Sequence, residues 1–251
     1  MFAIALVQDD FFDKADKRGE LDASHKRYTP EIAIASSNYC YVFAINMLKE
    51  LERFDIPREI IDGIYNNFIN IQKIVFESFL MELLNKASLE FTTEDVLTLH
   101  RAKTIHGTLT LYSVGMIIDS IRETNIADKI KSYSYNIAIA GQIKNDIYDM
   151  TRYAKTRGYV DILNGYLTYP LAKLKEVLNK EELVYLKRLF ENKNAEKIVE
   201  LLHKKRIFEI CAKDCKKYAE MSDDSLDKIF GEELAKILKL WIDGNSTINI
   251  Y

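Results

Sequence analysis

The sequence is short of chain breakers. Three prolines and nine glycines in 251 residues leave long stretches with nothing to interrupt a helix, and that scarcity points to an all-α fold. Cysteine is sparse as well. Cys40, Cys211 and Cys215 lack the spacing of a zinc or redox site, and Cys211 and Cys215 fall one helical turn apart, as packed helix residues do. An odd, sparse set of this kind fits a reducing cytoplasm. No apolar run approaches the roughly 20 residues that a membrane span needs, and the start of the chain has no basic segment of the kind that opens a secretory signal. An excess of positive charge is also missing: the formal net charge is −3, with Lys and Arg balanced by acid throughout. That balance gives no support for a nucleic-acid partner. The four histidines, His25, His100, His106 and His203, form no metal-ligand spacing.

What the chain does have is a helical period and enough apolar residues, 48%, to build a sizeable core within one domain over residues 1–251. Residues 2 to about 17 read as a helix closed by Lys17-Arg18-Gly19, with Gly19 in the left-handed position after its end. Residues 20–30 read as a loop. Helices are expected over 31–53, from Pro57 to about 86, and from Thr92 or Thr93 to about 122 with a break near Gly107. A long helix follows over 125–152, then an irregular loop over 153–164. Shorter helices are expected at 170–178, 180–191, 194–218 and 225–242, with a disordered tail beyond 243.

Two acidic stretches stand out against this background. The first is Gln8-Asp9-Asp10-Phe11-Phe12-Asp13 and the second is Gln142-Ile143-Lys144-Asn145-Asp146-Ile147-Tyr148-Asp149. Residues four apart share a helix face, so Asp9 and Asp13 point the same way with Asp10 about 100° round. Asn145 and Asp149 repeat the geometry, and Asp146 lies three before Asp149. A single such motif is most often a solvated helix face. Here both copies follow apolar runs, Phe2 to Val7 and Ile137 to Ile143, and like charges packed in a partly buried place cost several kcal/mol unless a cation intervenes. Oxygen-only ligand sets suit hard cations such as Mg²⁺, which shares phosphate oxygens with a substrate.

Further along, Lys103-Thr104 lies mid-chain, and Asp161-Ile162 leads to Gly165-Tyr166-Leu167-Thr168-Tyr169-Pro170. With the two acidic motifs and the basic pair Lys17-Arg18, this order and spacing over residues 1–172 resembles the trans-prenyltransferases, the polyprenyl diphosphate synthase family of the isoprenoid-synthase fold. The resemblance implies a helical bundle around a central cavity. It implies Asp9, Asp10 and Asp13 as metal ligands on one wall, with Asn145, Asp146 and Asp149 opposite, and three Mg²⁺ ions when diphosphate is bound. Lys103, Thr104 and Gln142, with Lys17 and Arg18, would hold the phosphates. Asp9, Asp13, Lys103 and Asp146 would carry the catalysis. The substrates implied are an allylic prenyl diphosphate and isopentenyl diphosphate, and the implied assembly is a homodimer. Ile4 and Ala5 stand where the family gates pocket depth, and their small size favours longer products.

Several features depart from the family. Helices that precede the first motif there, with a Gly-Lys-Arg site for isopentenyl diphosphate, have no counterpart here, which would leave Phe2, Ile4 and Leu6 to be covered by a partner, even a heteromeric one supplying those helices. Asn145 replaces an aspartate, Gln8 precedes the first motif where His or Asp is frequent, and Tyr166 stands where the family has a lysine. Three readings therefore stand together. One is a Mg²⁺-dependent prenyltransferase that elongates a chain. Another is a terpene cyclase, or a prenyltransferase acting on another acceptor such as a peptide. The third is a non-catalytic subunit or truncated pseudo-enzyme.

Overall fold

The computed structural model describes residues 2–18, 20–84, 89–122, 124–152, 154, 159–166, 168–223, 244 and 248. Helices dominate, as the scarcity of breakers implies: α1 (Phe2–Phe12), α2 (Ser24–Arg27), α3 (Pro30–Leu48), α4 (Arg58–Leu84), α5 (Thr93–Arg122), α6 (Ala127–Met150), α7 (Val160–Asn164), α8 (Tyr169–Val177), α9 (Lys180–Glu191), α10 (Ala195–Lys204) and α11 (Ile207–Asp223). A 3₁₀ turn, Lys49–Arg53, follows α3. Among the described residues the only strands are β1 (Lys17–Arg18) and β2 (Leu21–Asp22), an antiparallel pair with Arg18 opposite Leu21. The chain divides into two compact units, Met1–Phe79 with Ile105–Lys131, and Leu80–Thr104 with Ser132–Tyr251.

Several helix ends differ from those the sequence pattern implies, and most of the differences share a cause. α1 stops at Phe12 because Lys14 turns left-handed, φ 55°. Its N–H bonds back to Phe11 O at 3.2 Å and that of Ala15 to Asp10 O at 2.9 Å. That pair of bonds is a Schellman stop, built on lysine where glycine is usual. Gly19 lies outside the described residues. Lys193 (φ 52°) ends α9 in the same way, with Asn194 N–H on Leu189 O. Arg206 (φ 56°) divides the expected 194–218 helix into α10 and α11. Residues read as loops also hold short helices, α2 within 20–30 and α7 within 153–164. Here Gly165 (φ 76°) supplies the stop. The helix expected over 225–242 lies outside the described residues, and so does the tail beyond 243 apart from Gly244 and Ile248.

Helix starts follow the sequence more closely. Thr29 caps α3, its Oγ1 accepting Ile32 N–H at 3.2 Å, with Pro30 in the first turn. Thr92 and Asp95 cap α5 reciprocally: Asp95 Oδ2 accepts Thr92 N–H at 2.8 Å and Thr92 Oγ1 accepts Asp95 N–H at 3.2 Å. Asn179 and Glu182 form a full capping box on α9.

In the first unit Ile4, Ala33, Ile64, Ile71, Val75 and Phe79 are buried. α5 continues straight through Gly107, where a break was expected. One glycine costs a helix about 1 kcal/mol relative to alanine, too little to end a helix of 30 residues. The two α5 glycines of this unit sit in opposite surroundings. A Cβ on Gly107 would meet nothing within 4 Å, whereas one on Gly115 would stand 2.7 Å from the Ala127 Cα and 3.2 Å from its Cβ. Backbone cannot yield as a side-chain tip does. Gly107→Ala is therefore expected to stabilise by about 0.5–1 kcal/mol, and Gly115→Ala to destabilise by about 1–3 kcal/mol despite the same gain in propensity. Urea denaturation of the two variants checks both signs.

The second unit buries Ile143 and Ile147 of α6 with Leu171 and Leu174 of α8, Ile198 and Leu202 of α10, and Phe208 of α11. Cys211 and Cys215 are buried in this core on α11. Burial pushes both thiols up, that of Cys215 to about 12, so neither is a ready thiolate. Among the described residues no helix is long and apolar enough to cross a membrane.

Candidate functional site

The first acidic motif closes α1. Asp9 and Asp10 lie in its last turn, and Asp13 follows it, its N–H on Asp9 O at 2.9 Å. Because Lys14 turns the chain, the β1–β2 hairpin brings Arg18 back onto the motif. Asp10 accepts Arg18 Nε at 2.8 Å and faces Nη2 at 2.7 Å, and Nη2 also reaches Asp9 Oδ2 at 3.0 Å. Burial acts against the charged guanidinium, but the hydrogen bonds and charges of Asp10 and Asp9 outweigh it and raise the Arg18 pKa above its usual range. Asp10 is buried, while the Asp9 side chain is one-third exposed (34%). Lys17 is exposed on β1.

Gln8, just before the motif, is a structural tie. It is 1% exposed, donates to Ser37 Oγ at 3.4 Å and accepts from Gln72 Nε2 at 3.3 Å, linking α1 to α3 and α4. The two phenylalanines inside the motif are packed. Phe12 stacks on Phe79 with ring centroids 4.7 Å apart, and Phe11 meets Phe12 and His25 edge-on.

In the second unit α6 carries Gln142, Asn145, Asp146 and Asp149. Asn145 is exposed, Gln142 and Asp149 are half-buried, and Asp146 is buried. Asp146 Oδ2 accepts the Tyr169 backbone N–H at 2.7 Å and lies 3.2 Å from His100 Nε2. The carboxylate thus caps the N-terminus of α8, where Thr168 makes no side-chain cap. Negative charge there is favoured by the helix dipole. Tyr169 extends the network, donating its hydroxyl to Asp214 Oδ2 at 2.9 Å. Burial first, and then the Asp214 carboxylate, drive the Tyr169 phenol far above its ordinary pKa.

Lys103 stands on α5 one turn after His100. Its Nζ lies 2.8 Å from Glu82 and 5.8 Å from the centre of the Tyr166 ring. Tyr166, at the position where a lysine was expected from the resemblance, is buried and supports this cation through its π face. Thr104 turns its hydroxyl back to its own helix, onto His100 O at 2.8 Å.

Sequence reasoning picked out the acids, the lysine and Arg18 but not the groups that hold them. Arg18 was read as a phosphate ligand, and its carboxylate partners were not foreseen. Glu82, Tyr169 and the pairing of His100 with Asp146 were missed. One signal was present: His100 precedes Lys103 by three residues, so both lie along one face of α5.

The donor chemistry fits Mg²⁺. Every candidate ligand offers oxygen, and Mg²⁺ commonly takes only one or two carboxylates with waters and substrate phosphates. Among the described residues no three His, Cys, Asp or Glu side chains are grouped closely enough to bind a metal by themselves, so such an ion would need phosphate oxygens to complete its shell.

Comparisons with known proteins now add family and fold. The chain is similar to the chloroplastic solanesyl diphosphate synthase 2 of Arabidopsis thaliana, 22% identical over 190 residues that cover 70% of this chain and 43% of that protein. It is also similar to the chloroplastic solanesyl-diphosphate synthase 2 of Oryza sativa subsp. japonica, 23% identical over 190 residues, 70% of this chain and 44% of that one. The chain thus spans less than half the length of the curated relatives it matches. Its fold resembles that of a decaprenyl diphosphate synthase from Rhodobacter capsulatus, with a TM-score of 0.82 at 16% identity, over 98% of this chain and 75% of the other. A geranylgeranyl pyrophosphate synthetase from Pyrococcus horikoshii gives 0.80 at 19% identity, over 99% and 76%. These solved structures are all-α isoprenoid-synthase folds. The polyprenyl synthetase family model matches residues 1–205, four-fifths of the sequence, and the chain belongs to that family.

Proposed function

We propose that this chain is a Mg²⁺-dependent prenyltransferase that ionises an allylic prenyl diphosphate and joins the prenyl group to isopentenyl diphosphate. The observation that carries the reading is the pair of acidic helix motifs in a chain of this family, each with a cation or donor beside it. Asp9, Asp10 and Asp13, with Asn145, Asp146 and Asp149, would hold the ions, three of them with diphosphate bound, and both motifs would serve one diphosphate. Bound Mg²⁺ supplies charge neutralisation for the departing diphosphate. Lys103, Lys17 and Arg18 add fixed positive charge for the same leaving group, and Thr104 and Gln142 orient it. Arg18 already spans two carboxylates of the first motif, so it is held within reach of whatever anion those carboxylates bind through metal. Apolar surroundings exclude water from the allylic cation. The whole chain, 1–251, is taken as one isoprenoid-synthase-like domain.

A second reading keeps the ionisation and changes the acceptor, to cyclisation or to another nucleophile such as a peptide side chain. The buried tyrosine at position 166 favours it, because that position offers no cation to a second diphosphate. One assay separates the two. With Mg²⁺ and farnesyl or geranyl diphosphate, the first reading expects pyrophosphate and a longer product only when isopentenyl diphosphate is present. Pyrophosphate release without it supports the second reading, and no release with either mixture removes both.

The proposed assembly is a homodimer through α3. Ile32, Tyr39, Phe43 and Met47 follow one another at helical spacing and all are exposed, Tyr39 by 71%. An apolar stripe of this extent marks a contact surface, and a two-fold dimer covers it with the same stripe of a second copy. Phe43→Glu is expected to turn the dimer into a monomer in sedimentation velocity; a variant that sediments as the wild type does would remove α3 from the interface. Three free thiols support a reducing compartment such as the cytoplasm.

A further inference from the structure

His100 is 4% exposed on α5, among the most buried polar side chains of the second unit. Its Nδ1 has no hydrogen-bond partner among the described residues. Its Nε2 lies 3.2 Å from Asp146 Oδ2, and the ring packs 6.4 Å from that of Tyr169, centre to centre. A buried ring nitrogen left without a partner is costly, and an aliphatic side chain would fill this place at no such cost. The one polar contact that the ring does make is therefore the feature that accounts for a histidine here.

That contact is arranged in a particular way. Tyr169 N–H and His100 Nε2 both approach the same oxygen, Oδ2. The other oxygen, Oδ1, takes neither of them. A carboxylate pinned through one oxygen by two rigid donors, a helix N-terminus and a buried ring, has its second oxygen fixed in direction. Such outer partners orient metal-binding carboxylates and imidazoles in general, and losing one typically costs 10–100-fold in metal affinity. We propose that His100 is a positioning residue for the second acidic motif: by holding Asp146 Oδ2 it aims Oδ1 at the cation, while making no contact with metal or substrate itself. The proposal rests on Asp146 serving as a metal ligand.

The test uses the whole chain and reads metal binding apart from turnover. With pyrophosphate at a fixed concentration, the Mg²⁺ concentration giving half of the maximal rise in melting temperature is measured for wild type, His100→Phe and His100→Gln. Phenylalanine keeps a ring against Tyr169 and removes the donor. Glutamine restores an N–H at nearly the same distance from the backbone. The expected result is a Mg²⁺ requirement roughly 10–100-fold higher for the phenylalanine variant, largely recovered by glutamine. Should the phenylalanine variant not fold, His100→Asn, whose amide falls short of Asp146, is expected to show the same loss. Wild-type Mg²⁺ dependence in the donor-less variant, or a glutamine variant as impaired as the phenylalanine one, overturns the positioning role alone. A wild-type protein whose melting is unmoved by Mg²⁺ with pyrophosphate overturns the metal-site reading and this inference together.

Discussion

Asp9→Asn is expected to lower kcat by about 10²–10³ and to leave the melting temperature within a few degrees of wild type. The two halves of that expectation have separate causes. Structurally, Asp9 is one-third exposed and its contact with the Arg18 guanidinium is a partly solvated ion pair, a kind worth about 0–1 kcal/mol. Asparagine also leaves an oxygen for Arg18 Nη2, and Asp10 keeps its own two contacts with that guanidinium. Functionally, the substitution removes one negative charge from the first motif, and the metal then binds less firmly to the remaining carboxylates. The measurement pairs pyrophosphate release from an allylic diphosphate with a binding test. For wild type, Mg²⁺ and pyrophosphate at ~100 times Kd should add about 2.7 kcal/mol to stability, and the Asp9 variant should lose most of that gain. Near-normal turnover together with a normal ligand-induced shift would remove the first motif from the site.

The same site shows which parts of this molecule a sequence can disclose. Helical periodicity survives almost anywhere that glycine and proline are absent, so α3, α4, α6 and α9 were legible to within a few residues. Helix ends were not, where the chain turned left-handed at Lys14, Lys193 and Arg206. A lysine in that conformation costs roughly 1–2 kcal/mol and leaves no trace in composition. Only the packing that follows it makes it worth forming. The site inherits this blind spot. Arg18 reaches Asp10 because Lys14 ends α1 early and the hairpin returns, and neither step is written in the local pattern. The acids of the motifs were legible because residues four apart on a helix share a face. Their partners Glu82, His100 and Tyr169 were not, because each depends on which helix packs against which. The exchange of a lysine for Tyr166 was visible as a loss. That its ring would lie beneath Lys103 was not.

Asp146→Ala is expected to damage both fold and activity, in contrast to the Asp9 substitution, although both residues belong to equivalent motifs. The Asp146 side chain is 11% exposed, and its Oδ2 serves Tyr169 N–H and faces His100 Nε2. Removing it leaves the first N–H of α8 without its acceptor, in a place where Thr168 provides no cap. Each buried donor stranded in this way costs about 1–3 kcal/mol. With two donors affected, a loss of about 3 kcal/mol corresponds to a fall in Tm of roughly 6–12 °C for a chain of this size. Asp146→Asn divides the effects. Its amide oxygen still accepts from Tyr169, so most of the stability should remain. The lost charge should still lower kcat by about 10²–10³. The informative comparison is thus between the two variants: equal inactivity with unequal melting assigns Asp146 both a capping role and a chemical one. An alanine variant that melts as wild type does would refute the cap, and an active asparagine variant would refute the chemistry. Because α8 follows directly from Gly165 and Tyr166, loosening its N-terminus should also disturb the ring beneath Lys103. The alanine variant is accordingly expected to bind pyrophosphate more weakly even where Mg²⁺ is saturating, and the asparagine variant is not.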